Sequence, residues 1–160
     1  LVDLFQYLIA NNDYSVLKSA DGRECCPNTE SLALQDNADV RIPVPYDCDL
    51  SGLVNTKYAA PPSHLPIRLV RTRYYRGLCQ PEGVLEDGIE YVQSKREEIL
   101  DLYRNTQELE PYRKKKTLAY IEEFFETLEN PKKLHKELFD RCRGQHLLDE
   151  MLSREDASKD

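Results

Sequence analysis

Nothing in this sequence of 160 residues approaches the run of roughly 20 apolar residues that spans a bilayer. No basic-then-apolar leader precedes the opening helical stretch. Membrane insertion is therefore not expected. A basic excess is missing too: 22 Lys and Arg stand against 29 Asp and Glu, for a net charge of −7. Such a balance argues against general affinity for nucleic acid or anionic lipid, so an anionic ligand would need a local cation. No C-x-x-C pair occurs among the five cysteines, Cys25, Cys26, Cys48, Cys79 and Cys142. Their odd number and scattered spacing predict buried thiols rather than a disulfide framework or a zinc ribbon. Internal repeats and low-complexity blocks are also missing. The chain begins with Leu1 rather than Met, as a processed product or a piece of a larger protein would, and this leaves the compartment open.

What is present suffices for one core, since 40% of residues are apolar and the length suits one ordinary domain. We expect a single α+β, mostly helical domain over residues 1–150, with a frayed tail at 151–160. "LVDLFQYLIANN" spaces its apolar residues as a helix with one buried face, ending near Asn11 and Asn12. Residues 13–30 read as a long irregular loop. Ser31–Gln35 and Val40–Val44 read as strands of a β-hairpin, joined through Asp36–Asp39. The segment from Leu50 to Cys79, with Pro61, Pro62 and Pro66, reads as an irregular surface wrap with a short helix around Val70–Tyr75. From Pro81 the pattern turns helical. Val84, Leu85, Ile89, Val92, Ile99 and Leu102 predict one long helix from Pro81 to about Arg104. A second helix starts near Pro111. Asn130 and Pro131 separate it from a third, which Gly144 should stop.

Three polar features fall at element ends within residues 1–60. Asn12 and Asp13 follow the opening helix, Asn28 precedes the first strand, and Asp47 and Asp49 follow the second. A phosphoryl-transfer site needs that set: a carboxylate to accept the proton of an attacking hydroxyl, and oxygen ligands to hold Mg²⁺ against nucleotide phosphates. If the strand continued, alternation would put Asp47 and Asp49 on one face, roughly 6 to 7 Å apart, and Cys48 on the other. In that arrangement Asp13 is the base, Asp47 the principal metal ligand, Asn28 an added amide ligand, and Asp49 serves a second ion or a water. Each residue also has a plainer assignment. Asp13 suits an Asx turn toward Ser15, Asn28 a turn after Pro27, and Asp47 and Asp49 the start of the turn "DLSG".

"FQYLIANND", "PNTESLAL" and "PVPYDCD" together resemble the HipA-type bacterial serine/threonine kinases and, more loosely, the CotH spore-coat kinases and phosphatidylinositol-kinase-like folds. The chain is also similar to uncharacterised bacterial proteins that carry PYDFD-SGLVN-like segments, a likeness that continues through "RTRYYRG". The resemblance implies a kinase C-terminal-lobe-like fold with ATP and Mg²⁺ as cofactors. It further implies Asp13 as catalytic aspartate, Asn28 as metal ligand and Asp47 as the metal-binding aspartate. Asp13 and Asn28 stand fifteen residues apart, against five in the H-R-D-x-x-x-x-N loop of protein kinases, so an inserted loop is implied. Residues 1–160 contain no Gly-rich phosphate loop, and a missing N-terminal lobe is implied with it.

The partners expected on this basis are a nucleotide and an unidentified hydroxyl acceptor. Two alternatives stay open. One is a non-catalytic kinase-like or helical module that binds a protein partner through the C-terminal helices. The other treats Asp47-Cys48-Asp49 as a glycosyltransferase-type D-x-D metal motif. His64, His135 and His146 lie far apart and are expected to be exposed or lightly packed. The cluster Arg68, Arg71, Arg73 and Arg76 is expected to form ion pairs along a helix face.

Overall fold

Helix α1 (Val2–Ile9) opens the chain, and the hairpin strands β1 (Thr29–Ala33) and β2 (Arg41–Pro45) follow it. Helices α2 (Val84–Ser94), α3 (Arg96–Asn105), α4 (Pro111–Glu129) and α5 (Pro131–Glu137) come next, then a 3-10 turn at Phe139–Arg141. The computed structural model describes residues 1–15, 28–33 and 41–149. The architecture is α+β and mostly helical, as expected. Cys25 and Cys26, the Asp36–Asp39 turn, the strand ends at Gln35 and Val40, and the tail at 151–160 lie outside the described residues. None of the described helices is long and apolar enough to cross a membrane.

Two compact units divide the chain: Val2 with Leu4–Tyr74, and Leu1 and Asp3 with Tyr75–Asp160. In the first, Leu4, Tyr7, Leu8, Ile9 and Tyr14 are buried. The hairpin pairs Thr29 with Pro45 and Leu32 with Ile42, antiparallel. No helix forms over 70–75. Instead the N–H of Thr72 closes a turn on the carbonyl of Leu69, and Arg71 and Arg73 donate to the main-chain carbonyls of Gly52 and Leu8.

The second unit is built around α4, whose Tyr120, Ile121, Phe124, Phe125 and Leu128 are buried at helical spacing. Phe124 and Phe125 meet edge to face with centroids 5.1 Å apart, the arrangement favoured by the ring quadrupoles. Leu85, Ile89, Leu100 and Leu138 complete this core, whereas Val84 and Leu102 are exposed. Three sequence expectations change here. Helix α2 begins at Val84 rather than Pro81, because Gly83 at φ +87° turns the chain out of helical geometry. The long helix is two helices, broken at Lys95 (φ −95°, ψ 5°), where the Ser94 hydroxyl takes the Tyr91 carbonyl and competes with the backbone ladder. Helix α5 ends at Glu137, and Gly144 (φ +77°) opens a further helical turn at 145–149 instead of stopping α5.

The expectation of buried thiols also fails in part: Cys79 and Cys142 form a disulfide across 63 positions. Main-chain pairing brings them together. The Arg143 N–H bonds the Gly77 carbonyl and the Cys79 N–H bonds the Arg143 carbonyl, making a parallel bridge between Leu78 and Arg143. Spacing rules recognise cysteines that are close in sequence, and this pair is made close by a chain return. Gly77 lies in that return because a Cβ there would collide with the buried Tyr75 ring.

Candidate functional site

The site is assembled at the C-terminal end of α1. A helix ends with carbonyls that have no partner inside it, and here the chain supplies them from nearby. Ala10 takes the left-handed conformation (φ +51°), the N–H of Asn11 reaches the Gln6 carbonyl, and that of Ala10 reaches Tyr7. This is the Schellman pattern, with alanine where glycine is usual. Beyond it, the N–H groups of Leu53 and Gly52 cap the carbonyls of Ile9 and Ala10, and Arg73 caps Leu8. These capping bonds draw the segment after β2 against the "NND" turn. Helix capping therefore sets the segment that follows the hairpin's acidic exit beside the turn that carries Asp13.

Each polar side chain in that turn has a defined task. Asn11 accepts the N–H of Asp13 on Oδ1 at 3.3 Å, an Asx turn that presents the Asp13 carboxylate. Asn12 donates to the Thr72 carbonyl at 2.9 Å. The Asn28 amide donates to Asp13 Oδ2 at 3.2 Å and to the Asp13 carbonyl at 3.4 Å. The main-chain carbonyl of Asn28 accepts the N–H of Tyr46 at 3.1 Å. Asn28 thus joins Asp13 to the residue preceding Asp47.

Asp47 and Asp49 are brought together by a route other than strand alternation. Strand β2 ends at Pro45, and Asp47 stands in the left-handed region at φ +47°, so the alternation expected for a continuing strand does not apply. A turn, held by the Ser51 N–H on the Cys48 carbonyl, folds the two carboxyls onto each other. Asp49 raises the pKa of Asp47 above the ordinary carboxylate value, first by a shared hydrogen bond and then by its charge, and the charge of Asp13 pushes the same way. Asp49 is held below its ordinary value, chiefly by the Tyr58 hydroxyl, which donates to Oδ2 at 2.9 Å, and then by Asp47. Burial, and after it the charge of Asp47, push the Cys48 thiol up, so the thiol stays protonated at neutral pH.

Two contributors, Asn11 and Tyr58, were not singled out in the sequence. Asn11 directly precedes the Asn12-Asp13 pair, and its turn-forming chemistry was the available signal. Tyr58 lies nine residues beyond Asp49 with no periodic relation to it, and nothing in the sequence marks it.

Asn28 uses its NH₂ on Asp13, which leaves its amide oxygen as an acceptor. Two carboxyls held this close disfavour each other's ionised form. Among the described residues no group of three or more His, Cys, Asp or Glu side chains could hold a metal. No protein-family model matches the chain, and neither a curated protein nor a solved structure matches it.

Proposed function

We propose that residues 1–74 carry the metal-binding and proton-accepting half of a phosphotransferase site, which moves phosphate from ATP-Mg to the hydroxyl of a protein or small molecule. The observation that carries this proposal is the Asn28 amide bridge, which ties Asp13 to the strand leading into Asp47. In this assignment Asp13 orients the acceptor hydroxyl and takes its proton. Asn28 holds the Asp13 carboxylate with its NH₂ and offers its amide oxygen to the cation. Asp47 is the principal ligand, and Asp49, fixed by Tyr58, serves a second ion or a bound water. When bound, Mg²⁺ would supply charge neutralisation at the phosphate oxygens. The Gly-rich phosphate cradle would come from a partner lobe outside these 160 residues.

Mn²⁺ titration of the chain followed by electron paramagnetic resonance tests this directly. The wild-type chain should bind Mn²⁺, and Asp47→Ala should weaken binding at least about tenfold. Equal binding by both overturns the proposal and favours a helical module that binds a protein partner through α2–α5.

A further inference from the structure

A cavity of about 70 Å³ opens beside Asp13. Asn12 and Asp13 form its polar edge, and Leu50, Ala60, Pro61, Pro62 and Val70 form its walls. The volume is about half that of the 150 Å³ engineered cavity that takes up benzene, and several times the 10–15 Å³ that one water occupies. A group of a few carbon atoms fits, and an aromatic ring does not. The walls are held in place by main-chain bonds. Gly52 and Leu53 tie the Leu50 side to the end of α1, and the Asn12 amide ties the Val70 side through the Thr72 carbonyl. Two prolines stiffen the third side. A small fixed apolar recess with a carboxylate at its edge selects a ligand with a short alkyl group next to a hydrogen-bond donor.

We propose that this cavity is the acceptor subsite of the phosphotransferase, and that the acceptor is a secondary aliphatic alcohol whose small alkyl substituent fills the cavity while its hydroxyl meets Asp13. The proposal rests on the phosphoryl-transfer assignment of Asp13. In the step it serves, the acceptor oxygen forms a bond to the γ-phosphorus of ATP, and the bond from that phosphorus to the β–γ bridging oxygen breaks. ADP leaves with the electron pair, and the hydroxyl proton passes to the Asp13 carboxylate. The alkyl substituent gains binding only if it leaves water, which sets the size of the expected preference. Burying one methyl group corresponds to about fourfold in affinity. A threonine side chain in a polypeptide and a free small alcohol present the same chemistry.

The probes are N-acetylthreonine methylamide, N-acetylserine methylamide and 2-propanol, titrated into the ¹⁵N-labelled chain while the amide signals around Leu50, Ala60 and Val70 are followed. The threonine amide should perturb these signals with an affinity about fourfold above that of the serine amide. Ala60→Leu, at an exposed wall position, should abolish the perturbation while Mn²⁺ binding stays at the wild-type level. Val70→Ala should bring the two amides closer in affinity by widening the recess. Tighter binding of the threonine amide than of 2-propanol identifies a polypeptide acceptor, and the reverse order a free alcohol; either supports the subsite. Equal affinity of the two amides, silence of these signals, or a perturbation unchanged in Ala60→Leu overturns it. Failure of Mn²⁺ binding with the amide preference intact overturns the phosphoryl-transfer assignment alone.

Discussion

Tyr58 and Asp49 make one acid-base unit, although nine positions separate them. The phenol donates to Asp49 Oδ2 and is the leading cause of that carboxyl's lowered pKa. A lowered acid contributes stability above its ordinary pKa and loses it as pH falls through the folded value. Asp47, raised, does the opposite: its contribution is present at low pH and fades as pH climbs through its folded value. Tyr58→Phe removes the leading cause for Asp49 and should move its midpoint up toward the ordinary carboxylate value, as read by ¹³C carboxyl titration. An unmoved Asp49 midpoint would contradict this. At this scale the sequence showed that Asp13, Asn28, Asp47 and Asp49 lie at or just beyond the ends of α1, β1 and β2, because periodicity and turn chemistry mark where regular elements stop. It did not disclose how Asp47 and Asp49 meet, since a left-handed residue after a strand cannot be told from one that continues the strand. Tyr58 stayed hidden because its role depends on a loop return.

Helices of the second unit were legible where proline and asparagine mark their ends. Pro111 sits at the start of α4. Asn130 caps α5 by accepting the N–H of Lys133 at 3.1 Å, with Pro131 next in line. The break at Lys95 was not legible, because apolar spacing runs through it from Ile89 to Ile99 and neither Gly nor Pro interrupts it. Immediately after the break, Arg96 links α3 to α4. Its guanidinium pairs with Glu122 and with Glu129, the latter at 2.6 Å, and lies 5.3 Å from the centre of the Phe125 ring. With about a third of the side chain exposed to solvent, the ion pairs are partly screened and the ring contact adds to them. Arg96→Ala should lower stability to urea by about 1–2 kcal/mol. Arg96→Lys should recover less than half of that, because an ammonium lacks the planar fork that serves two carboxylates and a ring together. Full recovery by lysine would reduce the link to simple charge.

At the scale of the whole chain, the disulfide departs furthest from what the sequence indicated. Closing a loop of 63 positions restricts the unfolded chain by about 4 kcal/mol in the chain-entropy account. Cys79→Ser, Cys142→Ser and reductant should each lower the thermal midpoint of the oxidised chain, and reductant should shift either serine variant much less than the parent. If reductant shifts the variants as much as the parent, the stabilisation comes from elsewhere. The order of helix, hairpin and helical tail was visible in the sequence because it follows from local periodicity and turn chemistry. The Leu78–Arg143 bridge and the capping of α1 by residues 52–73 were not, because both depend on which distant backbone groups satisfy one another.

Ala10, Asn28, Asp47 and Asn55 share positive φ, and this common feature bears on ancestry. A branched side chain in the left-handed region is costly. Divergent descendants of this chain should therefore change their apolar residues freely while keeping Asn, Asp or Gly at 28, 47 and 55, and a small residue at 10. Those four positions form a lineage mark written in backbone shape, by which kinship could be traced after ordinary sequence similarity has faded.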